Sequence, residues 1–133
     1  MKITVKDCYE LEGDYQNQFL GKEVLPKPKY KKLNLSERSA HKVHYEDIYI
    51  LEPLHYYYIE FNEDIYKNIK VHSSFSENGL LHEMDLDKKR LYLFNASQNI
   101  IYLQKGTVVG ELIIDGWKFT NIKNFKWYSR NNF

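Results

Sequence analysis

The sequence of 133 residues has the length of one domain, which leaves no room for a separate regulatory module. Its 43% hydrophobic and 28% charged residues are typical of globular proteins and exclude an intrinsically disordered chain. The formal net charge of +1 excludes a global attraction to nucleic acid or to an anionic membrane.

The first 46 residues predict an irregular N-terminal segment. Residues 1–20 begin with alternating Ile3 and Val5 and then become polar, a pattern that fits either a strand or a short helix. The same stretch lacks the continuous apolar run of a signal peptide, and no run in the chain approaches the roughly 20 residues that span a bilayer. We therefore expect a cytoplasmic protein with no membrane contact. Cys8 is the one cysteine, and we expect it to be a small apolar residue.

Two further stretches of the N-terminal segment are rich in charge. Residues 21–32 contain Pro26, Pro28 and four lysines over 27–32, which predicts a solvated connection or an arm. His41 and His44, followed by Glu46 and Asp47, have the spacing of metal ligands on a helix. The segment shows no helical period and no third fixed ligand, so a surface loop is the favoured interpretation, and we expect no metal site.

From residue 47 onward the pattern changes to short β-like runs that are separated by turn residues. Their spacing of roughly 8 to 12 residues is typical of an all-β sandwich or barrel. We therefore predict one domain over 1–133, with a β-barrel core over 47–114. The predicted strands are 48–51, 55–61, 68–72, 90–94, 100–103 and 107–114.

Residues 115–133 form an aromatic and basic C-terminal arm. Four cations against Asp115 give this arm a net charge of +3, and six aromatic residues lie between them. Such rings can pack on a neighbouring subunit and leave their cations in water. We expect that contact, with stacking on nucleic acid or packing on the same subunit as alternatives.

The core resembles the superfamily of trimeric dUTPases and dCTP deaminases over about residues 48–114. The resemblance rests on a turn at 51–53, on His72-Ser73-Ser74, on Asn78-Gly79-Leu80, on a strand that ends in Asn95, and on 105–112. In that family the first of these turns has the form Leu-x-Pro-Gly. The resemblance implies a small, distorted jelly-roll-like β-clip barrel that assembles as a trimer.

The resemblance also implies a nucleotide site. Ser73, Ser74 and Gly79 are the positions that would contact phosphate or sugar, and Asp85 or Asp87 would be a displaced general base near the nucleobase. Magnesium would be the cofactor if the protein hydrolyses nucleotides. The alternative for residues 82–90 is a solvated turn whose acids and bases neutralise one another.

Several departures from the family pattern argue against catalysis. His72 stands where the family has a cation, and Glu111 stands where it has a glutamine. The segment 81–90 is several residues shorter than the family hairpin that grips the nucleobase, and 117–133 contain no glycine, although the family closes its site with a glycine-rich tail. The serines of 73–76 also lack the sharp glycine turn that frames a nucleophile.

The leading hypothesis is a diverged, non-catalytic dUTPase-like protein that binds a nucleotide or a protein partner, such as an accessory protein of a phage or mobile element. One alternative is an active hydrolase or deaminase that acts on dUTP or dCTP. A second alternative is a trimeric phage capsid decoration protein. We expect a homo-oligomer, and we do not expect nucleic acid to be the ligand.

Overall fold

The computed structural model describes residues 1–13 and 27–113, which form ten strands and one short helix. The elements are β1 (Lys2–Leu11), β2 (Tyr30–Lys32), β3 (Ser36–Ala40), β4 (Val43–Leu51), β5 (Tyr56–Phe61), β6 (Ile69–Val71), α1 (Ser73–Glu77), β7 (Leu80–Asp85), β8 (Arg90–Asn95), β9 (Ile101–Gln104) and β10 (Val108–Leu112). The expected C-terminal arm over 115–133 lies outside the described residues. In the part that is described, no helix is long and apolar enough to cross a membrane.

The strands form two antiparallel sheets. The larger sheet has seven strands in the order β6-β10-β1-β5-β8-β7, with β2 paired to β1, and it is nearly closed into a barrel. The smaller sheet has the order β3-β4-β9. The prediction of an all-β fold built as a small barrel is confirmed.

The core lies between the inner face of the large sheet and the inner face of the small sheet. Alternation places Leu91 and Leu93 of β8 inward, and Tyr57 and Ile59 of β5 pack beside them. The small sheet closes this core with three buried side chains, which are Tyr49, Leu51 and Leu103.

The prediction of an irregular N-terminal segment is wrong, because β1 is a ten-residue strand in the middle of the large sheet. Ile3 and Val5 point inward, but the register shifts between Val5 and Asp7, so the next buried residue is Cys8. This β-bulge hides the alternation from a search with a period of two residues. Cys8 is a buried apolar residue, as expected, and burial raises the pKa of its thiol.

The solvated connection expected over 21–32 is also wrong where the structure describes it. Residues 30–32 form β2, which pairs with the end of β1. The lysines of this stretch remain exposed, but Tyr30 turns onto the outer face of the sheet and meets Tyr58 edge-on at 4.8 Å between ring centroids. Aromatic contact therefore orders a segment whose composition is that of a loop.

The solvated turn considered for residues 82–90 is a strand over half its length. β7 pairs with β8 over six residues, from Leu80 opposite Asn95 to Asp85 opposite Arg90, and the turn is confined to residues 86–89. Leu80 and Met84 face the core from this strand. Two apolar positions four residues apart are too sparse to reveal a strand that has charged neighbours.

Candidate functional site

The two end strands of the large sheet, β6 and β7, are joined in sequence by a short segment that contains α1. Phe75 anchors α1 because its ring is buried in the core. His72 precedes the helix, and its Nδ1 accepts a hydrogen bond from the backbone N–H of Ser74 at 3.1 Å. We call this region, residues 70–79 with the facing part of β10, the seam.

A cleft of about 440 Å³ opens at the seam and is lined by residues of β6, of β10 and of the segment that begins α1. Its polar wall includes Lys70, His72 and Ser73, and Glu111 adds a carboxylate. Gly110 allows this arrangement, because a Cβ at that position would lie 2.1 Å from the carbonyl oxygen of Lys70. The strands can therefore approach closely only if this residue is glycine.

The three sequence-predicted ligand residues have different roles at the seam. Ser73 lines the cleft. Ser74 makes contacts within the helix and its cap. Its Oγ lies 2.9 Å from Nδ1 of His72, and its backbone carbonyl accepts a hydrogen bond from the Asn78 side chain at 2.8 Å. Gly79 has φ +85°, and a Cβ there would lie 2.9 Å from Cβ of Ser97, so its conformation and packing explain the glycine without a ligand.

Asp85 and Asp87 lie away from the seam in the same chain. Gly79 directly precedes β7 and Asp85 is its last residue, a separation of about 20 Å for six residues in a strand. The Asp85 carboxylate accepts a hydrogen bond from the backbone N–H of Lys88 at 3.2 Å, and Asp87 is exposed in the turn that follows. The structure therefore does not bring the predicted general base to the predicted phosphate contacts within one chain.

The buried amide of Asn95 organises the loops beside the seam. Its Nδ2 donates to the carbonyl oxygens of Leu51 at 3.0 Å and Asn99 at 2.9 Å, while its Oδ1 accepts from the backbone N–H and hydroxyl of Ser97 at 3.0 and 2.7 Å. Asn95 is fully buried, and these four bonds satisfy its amide. The sequence marked this residue only as a landmark at the end of a strand.

An aromatic layer covers the outer face of the large sheet. Tyr9, Tyr58 and Tyr92 stand opposite one another on β1, β5 and β8, and Tyr30 packs against two of them. Tyr9 and Tyr58 stack at 4.6 Å, and the guanidinium of Arg90 lies 3.9 Å from the Tyr58 ring centroid. The content of 12 tyrosines indicated half-buried faces, but not which rings would meet.

Beside this layer the surface is apolar and open. Tyr56 stacks on Phe94 at 4.4 Å, and Leu81 of β7 stands opposite Phe94. A groove of about 200 Å³ runs over these side chains, with Glu83 on its wall. We call Tyr56, Leu81, Glu83 and Phe94 the β7 patch.

The hairpin of β3 and β4 projects from the small sheet, and its residues from 37 to 47 are exposed. A second cleft, of about 500 Å³, lies along it and is lined by Arg38, Tyr45, Ile48 and Tyr102 among others. The guanidinium carbon of Arg38 lies 5.9 Å from the Tyr102 ring centroid. We call residues 36–47 the hairpin arm.

The two histidines of the considered metal site lie on this hairpin arm. His41 is in the turn, and His44 is in β4, where Nδ1 meets the Ser39 hydroxyl at 2.9 Å and Nε2 meets the Glu37 carboxylate at 2.8 Å. Within residues 1–13 and 27–113, no group of three or more His, Cys, Asp or Glu side chains could hold a metal ion.

Comparisons with known proteins returned no match: no family model, no curated protein and no solved structure resembles this chain.

Proposed function

We propose that the protein is a diverged, non-catalytic dUTPase-like protein that binds a nucleotide in the seam cleft. The observation that carries this proposal is the meeting of three hydrogen-bond donors in the cleft, from Lys70, His72 and Ser73. An ammonium, an imidazole N–H and a hydroxyl together suit the oxygens of one phosphate group.

The tautomer of His72 supports its role as a donor. Nδ1 accepts the backbone N–H of Ser74, so the proton of the neutral ring is on Nε2. Nε2–H then points away from the helix cap and is available to a ligand oxygen. Lys70 supplies a full positive charge on β6, next to the position where the sequence had replaced the family's cation with histidine.

Glu111 limits how much negative charge a ligand in the cleft can carry. It stands directly opposite Lys70 in the pairing of β6 with β10, so its carboxylate offsets the ammonium. A cleft with this balance favours a nucleoside monophosphate or a cyclic nucleotide, because a triphosphate brings three or more negative charges close to Glu111.

Two observations support the other two parts of the proposal, which are that the protein is non-catalytic and that it is dUTPase-like. Asp85 and Asp87 lie about 20 Å along β7 from the seam, which favours binding over hydrolysis by these carboxylates. Leu54 has φ +61° in the turn where the family has glycine, and its N–H donates to the Asn95 carbonyl at 2.7 Å. This left-handed conformation, which glycine prefers, supports the resemblance.

A thermal-shift screen tests the proposal. The panel contains dUMP, dCMP, cyclic nucleotides, dUTP and dCTP, each with and without magnesium. We expect the monophosphates or cyclic nucleotides to raise Tm by mass action, and to do so more than the triphosphates. A second series measures the same shifts in Lys70→Gln and Ser73→Ala, with Lys105→Gln in the β9–β10 turn as the matched control.

The two cleft variants should lose the shift while Lys105→Gln keeps it. Glu111→Gln should move the preference toward triphosphates, because it removes the opposing charge. If no nucleotide raises Tm, or if Lys70→Gln responds as the unaltered protein does, the seam cleft is not a nucleotide site.

The expected assembly into a trimer remains part of this proposal. A chain that assembles needs surfaces that a second copy can cover, and the hairpin arm and the β7 patch are such surfaces. Their chemistry allows a more specific inference, which does not depend on nucleotide binding.

A further inference from the structure

Two open sheet edges in the described part of the chain differ in charge and complement each other. Among residues 1–13 and 27–113, β3 pairs with β4 alone and β7 pairs with β8 alone. Each edge presents a row of unpaired backbone N–H and C=O groups, which is a template for another strand. The hairpin arm needs such support, because a two-stranded ribbon is only marginally stable alone.

One face of the hairpin arm is apolar and includes one cation, Arg38. Arg38 stands opposite Tyr45, and Ala40 stands opposite Val43, so these four side chains share that face. Val43 is 47% exposed and Tyr45 is 41% exposed. Arg38 contacts a carbonyl and a ring, but no carboxylate of the described residues pairs with it.

The β7 patch is apolar and includes one anion, Glu83. Leu81 is 56% exposed and Tyr56 is 44% exposed, although both lie beside Phe94. Glu83 stands two residues along β7 from Leu81, on the same face of the strand. No cation of the described residues forms an ion pair with Glu83.

The hydrogen-bond pattern fixes which residues of β3 face its open edge. The turn between β3 and β4 has His41 at φ +51° and Lys42 at φ +66°, which is the type I′ geometry of a two-residue hairpin. Ala40 and Val43 therefore exchange hydrogen bonds, and bonded and non-bonded pairs alternate from there. The backbone groups of Ser39 consequently point to the open edge.

The same reasoning applies to β7. The N–H of Ala96 donates to the carbonyl of Gly79 at 2.9 Å, so this pair is a bonded one. Alternation makes Leu81 a bonded partner of Phe94 and turns the backbone groups of His82 to the open edge. Ser39 and His82 can therefore exchange hydrogen bonds across a new strand pair.

We propose that β3 of one copy of this chain pairs antiparallel with β7 of a second copy, with Arg38 opposite Glu83 and Ala40 opposite Leu81. This register joins the apolar face of the hairpin arm to the β7 patch and forms one continuous sheet. Arg38 and Glu83 fall at a non-bonded pair, where Cβ atoms are about 4.5 to 5.5 Å apart, close enough for an ion pair. The register also places Ser36 opposite Asp85.

The charges select this pairing over pairing of either edge with itself. When β7 pairs with β7 and their faces match, Glu83 meets Glu83, Asp85 or Leu81, and no opposite charge. When β3 pairs with β3, Arg38 meets Arg38, Ser36 or Ala40. Of these three pairings, that of β3 with β7 alone brings opposite charges directly opposite each other.

A contact between two different edges is heterologous, so each copy offers one β3 and one β7 and the contacts can close into a ring. The partner is therefore a second copy of this chain. A closed ring leaves neither edge open, which removes the aggregation hazard that each edge carries in a single copy.

A charge swap tests the pairing in solution by size-exclusion chromatography with light scattering. The unaltered protein should elute as an assembly of several copies. Arg38→Glu and Glu83→Arg should each shift the mass to that of one chain, and the double variant should restore the assembly. Lys105→Glu in the β9–β10 turn is a matched reversal away from both edges and should leave the mass unchanged.

The proposal is overturned if the unaltered protein is a monomer at millimolar concentration, if single reversals leave its mass unchanged, or if folded single variants are not rescued by the swap. Circular dichroism shows whether each variant is folded. These outcomes are separate from the nucleotide screen, because neither reversal touches the seam cleft.

Disulfide trapping tests the register independently of any charge reversal. Paired Cα atoms at a non-bonded position are about 4.5 Å apart, which is within the range of a disulfide. Ala40→Cys combined with Leu81→Cys should therefore cross-link separate chains on oxidation, whereas Ala40→Cys combined with His82→Cys should not. Cys8 is buried and adds no background. Equal cross-linking in both pairs would overturn the register.

Discussion

Replacement of Asn95 by alanine tests whether the amide network holds the loops beside the seam. The side chain is fully buried and makes four hydrogen bonds. Its removal leaves the Leu51 carbonyl without this donor, whereas the Asn99 carbonyl keeps the Ser97 hydroxyl as a donor at 3.1 Å. A buried polar group without a partner costs about 1 to 3 kcal/mol. Because one carbonyl loses this donor and the Ser97 N–H loses its acceptor, we expect the free energy of unfolding to fall by about 2 kcal/mol.

The assay is equilibrium unfolding in urea, followed by far-ultraviolet circular dichroism, with linear extrapolation to water. Asn99→Ala is the matched control, because Asn99 is exposed and uses its backbone carbonyl in the network. The control should change stability by less than about 0.5 kcal/mol. A loss at Asn95 no greater than that of the control would refute the reasoning.

Asn95→Asp separates hydrogen bonding from packing in the same experiment. The carboxylate keeps the shape of the amide but places a negative oxygen against the carbonyls of Leu51 and Asn99. The charged form is therefore disfavoured in the folded state, so the pKa of the introduced group rises on folding. This variant should therefore be less stable than Asn95→Ala at neutral pH, and its free energy of unfolding should rise as the pH falls.

Two further predictions concern the sheet. Gly110→Ala should separate β6 from β10, since its Cβ would lie 2.1 Å from the Lys70 carbonyl oxygen, and the loss of amide-exchange protection in β6 measures this. Partial desolvation raises the pKa of Glu63, but hydrogen bonds from the Thr4 N–H and hydroxyl lower it by more, so the net pKa lies below the ordinary value of 4.5. The Glu63 carboxylate therefore stabilises the fold above that pH, and this stabilisation is lost as the pH falls through the folded pKa. Glu63→Gln should consequently make Tm fall less steeply with decreasing pH. An unchanged dependence of Tm on acid pH would contradict this.

The sequence predicts the strands that are short apolar runs bounded by turn residues. Residues 48–51, 55–61 and 90–94 are such runs, and each prediction overlaps an observed strand. The strands that were missed are those in which another effect disturbs the period. In β1, a β-bulge after Val5 changes which positions point to the core. In β7, charged residues interrupt the pattern because it is an edge strand.

The candidate site shows the same division between local and long-range information. Ser73 was found because it belongs to a local motif, and it lines the seam cleft. Lys70 was missed as its neighbour in the site, because its place there depends on the pairing of β6 with β10, which joins residues about 40 positions apart in sequence. Asn95 was noticed as a landmark, and three of its four hydrogen bonds join it to Ser97 and Asn99, which are near it in sequence. The fold brings only the fourth partner to it, the Leu51 carbonyl at the end of β4.

The aromatic layer connects β7, the strand proposed to receive a second copy, to the rest of the large sheet. Tyr58 is on the outer face, yet only 7% of it is exposed, because Tyr9, Tyr30 and Arg90 enclose its ring. The row Tyr9, Tyr58, Tyr92 continues across the sheet to Glu83 on β7. Rings that stack with one another lose side-chain freedom when the chain folds, so the strand that carries Glu83 is held by a rigid neighbour before any second copy arrives. A strand edge that is already ordered pays less entropy on pairing than a flexible one, which favours β7 over a loop as the receiving surface.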